Sequence, residues 1–150
     1  MAEAGDTVEH LPGTRAEYPY CVDFATRWGD NDMLGHLNNV VFHRVFEDVV
    51  TRYTRFELGV DWLADPVYPV AVESQCRFHS ELSWPETVTA AMRLGRLGRS
   101  SALYHVALFG AGNETAAASG RFVHVYIDRA SKRPTDIPAA IRAKLEKLLG

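Results

Sequence analysis

The residues of this chain best suited to chemistry are concentrated between positions 27 and 39. These thirteen residues contain two Asp, two Gly, one His and three Asn. The carboxylates of Asp30 and Asp32 could attack an electrophile or activate water, and the imidazole of His36 could act as a general base. Catalytic residues are often carried on a polar connection of this kind, which glycine allows to turn sharply. We therefore expect a candidate site here.

The neighbouring segments predict a strand before this connection and a helix after it. Large apolar and β-branched residues alternate with smaller or polar ones from Tyr20 to Trp28, which is typical of a strand. From Asn38 to Leu58 apolar residues recur at three- and four-residue steps, which predicts a helix buried along one side. This stripe consists of Val41, Phe42, Val45, Phe46, Val49, Val50, Tyr53 and Phe56.

The ends of this helix are also marked in the sequence. Asn38 is placed to cap its N-terminus, and Gly59 is placed to end it. The first turn of a helix presents N–H groups without intrahelical acceptors, together with a partial positive charge. Asp32 lies seven residues before Asn39, so the loop between them can fold to face a carboxylate and an amide toward one carbonyl group.

The rest of the chain predicts an antiparallel sheet. Four further strands are expected at residues 70–79, 86–97, 100–109 and 115–128, followed by a short helix capped by Asp136. Strands joined by short turns pair in an antiparallel way, and one long apolar helix must cover a face of their sheet. Residues 1–19 are expected to form a flexible tail, which leaves residues 20–150 as a single α+β domain.

Composition excludes several functional classes. The net charge is −3 and the pI is about 6.0, so the chain lacks the basic character of a nucleic-acid-binding protein. It has no apolar run long enough to cross a membrane, and its first residues do not resemble a secretory signal. The histidines and cysteines lack the spacing of metal ligands. We expect a cytoplasmic protein without a bound metal.

The pattern Asp30-x-Asp32 followed by Gly35-His36-x-Asn38-Asn39 closely resembles the signature of the hotdog-fold acyl-CoA thioesterases, in the 4-hydroxybenzoyl-CoA thioesterase-like family. The resemblance extends from about Cys21 to Pro138, with weaker matches at 98–101 and 128–134. It implies a five-stranded antiparallel sheet wrapped around the central helix. It also implies hydrolysis of an acyl-CoA substrate without a cofactor, by a homodimer or homotetramer with sites between subunits.

The same resemblance assigns roles to individual residues. It makes Asp32 the nucleophile or general base, and it makes the backbone amide of Asn39 the donor that polarises the thioester carbonyl. It places Gly35 and Leu37 against the substrate. His36 is a weaker candidate, and we expect it to orient the loop through a hydrogen bond. Asp30 is interpreted as a brace of the loop. The chain differs from the aryl-CoA enzymes of the family at positions 36, 38 and 39, so the resemblance does not identify the acyl group of the substrate.

A second set of candidate residues surrounds the predicted turn after residue 97. Arg99 follows Arg93 and Arg96, and this group is either a solvated hairpin end or a seat for the phosphates of coenzyme A. Ser100 and Ser101 could bond the amides of the pantetheine arm. The residues themselves do not decide between these interpretations.

Two other functions fit the same pattern. The substrate could be carried by an acyl carrier protein instead of coenzyme A, and the near-neutral charge does not decide between them. Alternatively, the chain could bind acyl-CoA without catalysis, since fold alone does not define activity. Asp32 argues against this second alternative, because binding alone has no use for a carboxylate beside a carbonyl.

Overall fold

One long helix packs across a face of a five-stranded sheet in the computed structural model, which describes residues 13–149. The elements in chain order are β1 (Tyr20–Ala25), α1 (Asn39–Arg52), β2 (Val67–Phe78), β3 (Thr87–Leu97), β4 (Ser101–Phe109), β5 (Ala118–Asp128) and α2 (Ala139–Glu146). The strand order is β1-β3-β4-β5-β2, and all neighbouring strands are antiparallel. This arrangement confirms the α+β hotdog fold. Among residues 13–149, no helix is long and apolar enough to span a membrane.

The central helix begins and ends where the sequence predicts. The side chain of Asn38 accepts a hydrogen bond from the amide of Val40 at 3.0 Å, which is the predicted N-cap. Gly59 follows the helix with a φ of +77°, a conformation that glycine adopts without steric cost. The last turn, Tyr53–Glu57, is a π-helix. This turn changes the helical register, so Phe56 is 71% exposed and its assignment to the buried stripe was wrong.

One strand is irregular, and one further local prediction fails. An irregularity in the pairing of β2 with β5 lies between Ala71 and Glu73, and Val72 is therefore 58% exposed instead of following the simple alternation of its strand. Asp136 does not cap α2, because the helix begins after Pro138. The Asp136 carboxylate instead forms an ion pair with Arg99.

The segment just before β1 covers the outer face of the sheet. The guanidinium of Arg15 donates to the hydroxyl of Thr89 at 3.0 Å, and Tyr18 is buried with its ring edge against Phe109. Residues 13–18 therefore pack on the sheet, although the sequence assigns them to the tail. Residues 1–12 of that expected tail lie outside the described part of the chain.

Gly120 allows β2 and β5 to approach closely, because a Cβ atom at this position would overlap the carbonyl group of Gln75. We expect Gly120→Ala to force these strands apart and to lower the free energy of unfolding by at least about 3 kcal/mol. Gly29→Ala is the matched control, since a Cβ at Gly29 meets nothing within 4 Å. Urea unfolding of both variants measures the difference, and equal stabilities would contradict the close packing.

Candidate active site

The connection from β1 to α1 is a tight loop whose two sides are joined by backbone hydrogen bonds. The amide of Asp32 donates to the carbonyl of His36 at 2.9 Å, and the amide of Gly35 donates to the carbonyl of Asp32 at 3.0 Å. Gly35 has a φ of +78°, which explains why glycine occurs at this corner. These bonds hold the polar residues of the loop in one fixed arrangement directly before the helix.

Asp30 joins this loop to the helix and is only 2% exposed. One carboxylate oxygen accepts the amide of Arg27 at 2.8 Å, and the other accepts the guanidinium of Arg44, from the second turn of α1, at 3.0 Å. Its backbone carbonyl accepts the amide of Asn38 at 2.9 Å. Burial opposes ionisation of Asp30, but the bonds from Arg27 and Arg44 outweigh burial and lower the pKa of Asp30 below its usual value.

Asp32 and the start of α1 are the parts of the loop that could act on a carbonyl group. Asp32 is half-buried, and one of its carboxylate oxygens accepts the amide of Leu34 at 2.9 Å. Asn38 accepts the amides of Val40 and Val41 through its side chain and its carbonyl. Asn39 is the first helical residue, whose N–H points out of the N-terminus without an intrahelical acceptor. A carboxylate and a backbone N–H without an intrahelical acceptor therefore belong to one short, braced segment.

The other predicted loop residues have positions that differ from one another. Nε2 of His36 lies 3.0 Å from a carboxylate oxygen of Glu81, and this contact ties the loop to the segment before β3. The side chain of Leu37 is buried in the core, and its amide donates a hydrogen bond to the carbonyl of Leu82 at 2.7 Å. Both contacts anchor the loop to the rest of the fold. Gly35 is exposed, and its carbonyl accepts the hydroxyl of Ser83 at 3.0 Å.

The residues considered for coenzyme A lie at the other end of the sheet from this loop. The loop is bonded to the start of β3, since the hydroxyl of Thr26 donates to the carbonyl of Glu86 at 2.7 Å. Arg99, Ser100 and Ser101 follow the end of β3, which has 11 residues and therefore a length of about 35 Å. Asp32 and Arg99 of one chain are consequently not brought together.

Sequence reasoning did not identify a groove between α1 and β2. Its lining includes the charged side chains of Arg44, Glu47 and Glu73. It also includes His43 and Ser74, whose side chains lie 2.8 Å apart although 31 residues separate them in the chain. His43 carries no local signal of function, and the position of Ser74 opposite it follows from the packing of α1 against β2. Within residues 13–149, no group of three or more His, Cys, Asp or Glu side chains is placed to hold a metal ion.

The sheet order, the central helix and the braced loop before it define a hotdog-fold protein. The chain belongs to the thioesterase-like superfamily, whose family model matches residues 26–145. No curated protein sequence matches the chain.

Solved structures show the same relationship. The PA5185 protein of Pseudomonas aeruginosa is 37% identical with a TM-score of 0.86, over 91% of this chain and 96% of that one. A thioesterase of Thermus thermophilus, complexed with coenzyme A and Zn, is 30% identical with a TM-score of 0.76, and the match covers 87% of this chain and 94% of that one. A 1,4-dihydroxy-2-naphthoyl-CoA thioesterase of Synechocystis shares the fold at a TM-score of 0.77 and 10% identity, and the match covers 87% of this chain and 98% of that one.

The brace formed by Asp30 is testable through stability. The pKa of Asp30 is lower in the folded protein than in the unfolded chain, so the ionised carboxylate adds to the free energy of unfolding. This contribution is fully present above the unfolded pKa of about 3.9, and it is lost as the pH falls through the folded pKa. We expect Asp30→Asn to cost about 1.5–3 kcal/mol near neutral pH, by weakening bonds to a charged group. The difference from the wild type should shrink in urea unfolding below a pH of about 4.

Asp48→Asn is the control for this measurement. Asp48 also accepts from an arginine, Arg52, at 2.8 Å, but the pair lies at the surface. Its loss should cost no more than about 1 kcal/mol. If Asp30→Asn and Asp48→Asn lose the same free energy of unfolding, Asp30 does not brace the loop.

Proposed function

We propose that this protein is an acyl-CoA thioesterase, which hydrolyses an acyl-CoA thioester to the free acid and coenzyme A. The observation that carries this proposal is the placement of the Asp32 carboxylate in a braced loop that ends at the capped N-terminus of α1. Membership of the thioesterase-like superfamily supports the reaction class. The assignment of Asp32 and of the Asn39 amide is our own.

The chemistry follows from the charge that develops on the thioester oxygen. Hydrogen bonding from the Asn39 amide, together with the partial positive charge of the helix N-terminus, stabilises the oxyanion as the carbonyl carbon is attacked. In one route Asp32 takes a proton from water while the water oxygen forms the new bond. Collapse of the tetrahedral intermediate then breaks the carbon–sulfur bond, and the proton passes to the coenzyme A thiolate. In the other route the Asp32 carboxylate attacks the carbonyl carbon, and the carbon–sulfur bond breaks to release the coenzyme A thiolate and leave a mixed anhydride. Water then hydrolyses the anhydride to the free acid and the Asp32 carboxylate, and the proton released from water passes to the thiolate.

The hairpin end between β3 and β4 is the proposed seat for the phosphates of coenzyme A. A cavity of about 750 Å³ lies there, lined by Arg99 and Arg142 among others. Arg142 donates to the carbonyl groups of Gly98 and Arg99, which fixes the backbone of the hairpin. Coenzyme A is bound by the Thermus thermophilus relative, which supports this carrier over an acyl carrier protein.

A complete site then requires two copies of the chain, because Asp32 and Arg99 of one copy lie at opposite ends of the sheet. The edge strand β2 has an unpaired side, and such edges associate readily. If two β2 strands pair in an antiparallel way about a twofold axis, the hairpin end of one chain lies at the same end of the joined sheet as the Asp32 loop of the other. We therefore propose a homodimer, or a homotetramer made of two such dimers, with shared sites.

The Asp32 assignment predicts a specific kinetic effect. Asp32→Asn keeps the size of the side chain but removes the charge that can attack or accept a proton. We expect kcat to fall on the order of 100-fold or more, while folding and acyl-CoA binding persist. The measurement is single-turnover release of thiol from a panel of acyl-CoAs, combined with thermal unfolding.

Asp30→Asn is the control in the same loop, because Asp30 is bonded to Arg27 and Arg44 and its loss should reduce stability more than turnover. His36→Ala should have an intermediate effect on turnover if the contact of His36 with Glu81 orients the loop. Wild-type turnover in a folded Asp32→Asn protein would refute the proposed mechanism.

The shared site predicts complementation between two defective variants. Arg99→Ala should raise KM for acyl-CoA more than it lowers kcat, because phosphate contacts exist in both the ground and transition states. A heterodimer of Asp32→Asn with Arg99→Ala chains, isolated by two affinity tags, then contains one site with both native residues. We expect it to regain the wild-type KM and about half of the wild-type kcat per dimer.

The two homodimeric variants serve as controls for this mixture. A heterodimer that keeps the raised KM of the Arg99→Ala protein would show that both residues act within one chain. Sedimentation of the wild type as a stable monomer at micromolar concentration would lead to the same conclusion.

A further inference from the structure

Residues 31–37 of the candidate site form a small hairpin that carries Asp32 on its first arm. The base of the hairpin is an antiparallel bridge between Asn31 and Leu37. The two apolar side chains at its tip, at positions 33 and 34, are exposed to solvent and do not pack against the core. The position of the Asp32 carboxylate therefore depends on what holds the two arms.

The segment just before β3 holds both arms of this hairpin. On the first arm, the side-chain oxygen of Asn31 accepts the amide of Trp84 at 3.1 Å. On the second arm, the carbonyl of Gly35 accepts the hydroxyl of Ser83 at 3.0 Å. Because Asn31 directly precedes Asp32, these two bonds flank the candidate carboxylate along the chain.

The same segment also contacts the loop on either side of the two arms. The rings of Trp28 and Trp84 meet edge to face, with their centroids 5.1 Å apart. At the end of the hairpin, the amide of Leu37 donates to the carbonyl of Leu82 at 2.7 Å. The segment therefore follows the loop over its whole length, and its hold on the hairpin does not depend on a single contact.

This support is itself fixed to the sheet. One carboxylate oxygen of Glu86 accepts the amide of Ser83 at 3.1 Å, and the other accepts the amide of Ala111, in the connection between β4 and β5, at 3.2 Å. The amide of Glu86 donates to the carbonyl of Ser83 at 3.1 Å. These bonds close a turn and join it to a neighbouring connection, so the segment is a firm support for the hairpin.

From this geometry we infer that Ser83 and Asn31 are positioning residues, which set the place of the Asp32 carboxylate relative to the N-terminus of α1. Asp30 fixes the base of the loop on the helix, whereas these two residues fix the hairpin beyond it. Without them the hairpin can turn about its base while the fold stays intact. The inference rests on the proposed thioesterase function and names residues that act on catalysis through Asp32.

The variant Ser83→Ala removes the hydroxyl that holds the second arm. We expect kcat to fall about tenfold, since a displacement of about 1 Å in a reacting group costs as much as about 100-fold in rate. KM for acyl-CoA should keep its wild-type value, because the proposed phosphate seat lies at the other end of the sheet. Asn31→Ala should show the same pattern in steady-state thiol release.

Two further variants separate positioning from a general structural role. Ser83→Thr keeps the hydroxyl and should restore most of the wild-type kcat. Ser80→Ala is the matched control in the same connection, because Ser80 is exposed and its hydroxyl has no hydrogen-bond partner among residues 13–149. It should leave both constants unchanged. A loss of kcat that Ser83→Thr does not reverse, or that Ser80→Ala equals, would overturn the inference.

Hydrogen exchange, measured by mass spectrometry on peptides that cover residues 29–37, tests the support without any need for activity. We expect faster exchange in these peptides of Ser83→Ala, with wild-type exchange in the rest of the sheet. Faster exchange throughout the sheet would indicate a general loss of stability and would overturn the inference.

The two measurements distinguish this inference from the proposed function. If no acyl-CoA is hydrolysed but exchange rises only in residues 29–37 of Ser83→Ala, the thioesterase proposal fails and the support of the hairpin stands. If the wild type hydrolyses acyl-CoA and Ser83→Ala keeps the wild-type kcat, the positioning role fails and the proposed function stands.

Discussion

The arrangement of the candidate site depends on one buried carboxylate. Asp30 holds the amide of Arg27 on one side of the loop and the guanidinium of Arg44 on the helix, while its carbonyl accepts the amide of Asn38. A buried charge is tolerated only when it is paired and hydrogen-bonded, and these partners meet that condition. Asp30 is therefore hydrogen-bonded both to the loop and to the first turns of α1. These bonds fix the position of Asp32 relative to the helix N-terminus before any substrate binds.

The sequence predicts the elements whose determinants are local. The cap by Asn38 and the stop at Gly59 each depend on a few adjacent residues, and both are present in the structure. Features that depend on neighbouring elements were missed. The π-turn that exposes Phe56 and the irregularity that exposes Val72 change the register of an otherwise regular pattern. Asp136 has the chemistry of a cap, but the helix begins only after Pro138, and the Asp136 carboxylate pairs with Arg99 instead.

The candidate site shows the same division between local and distant information. Asp32 and Asn39 are joined by a short loop, so their proximity to one helix end can be predicted from spacing. Arg99 and Ser74 lie far from them in the chain, and only the folded structure shows where they are. The length of β3 separates Arg99 from Asp32, and the packing of α1 on β2 brings Ser74 beside His43. A list of chemically suitable residues therefore contains too little information to define which of them share a site.

The segment before β1 has a practical consequence for anyone who shortens this protein. The superfamily match begins at residue 26, which suggests a convenient start for a minimal domain. A chain that begins there would lose β1 and would leave the pairing edge of β3 open. It would also uncover Phe109 and its small apolar neighbours on the outer sheet face, where Tyr18 now lies. Such a fragment would present both a strand edge and an apolar patch to solvent, which is the combination that drives aggregation.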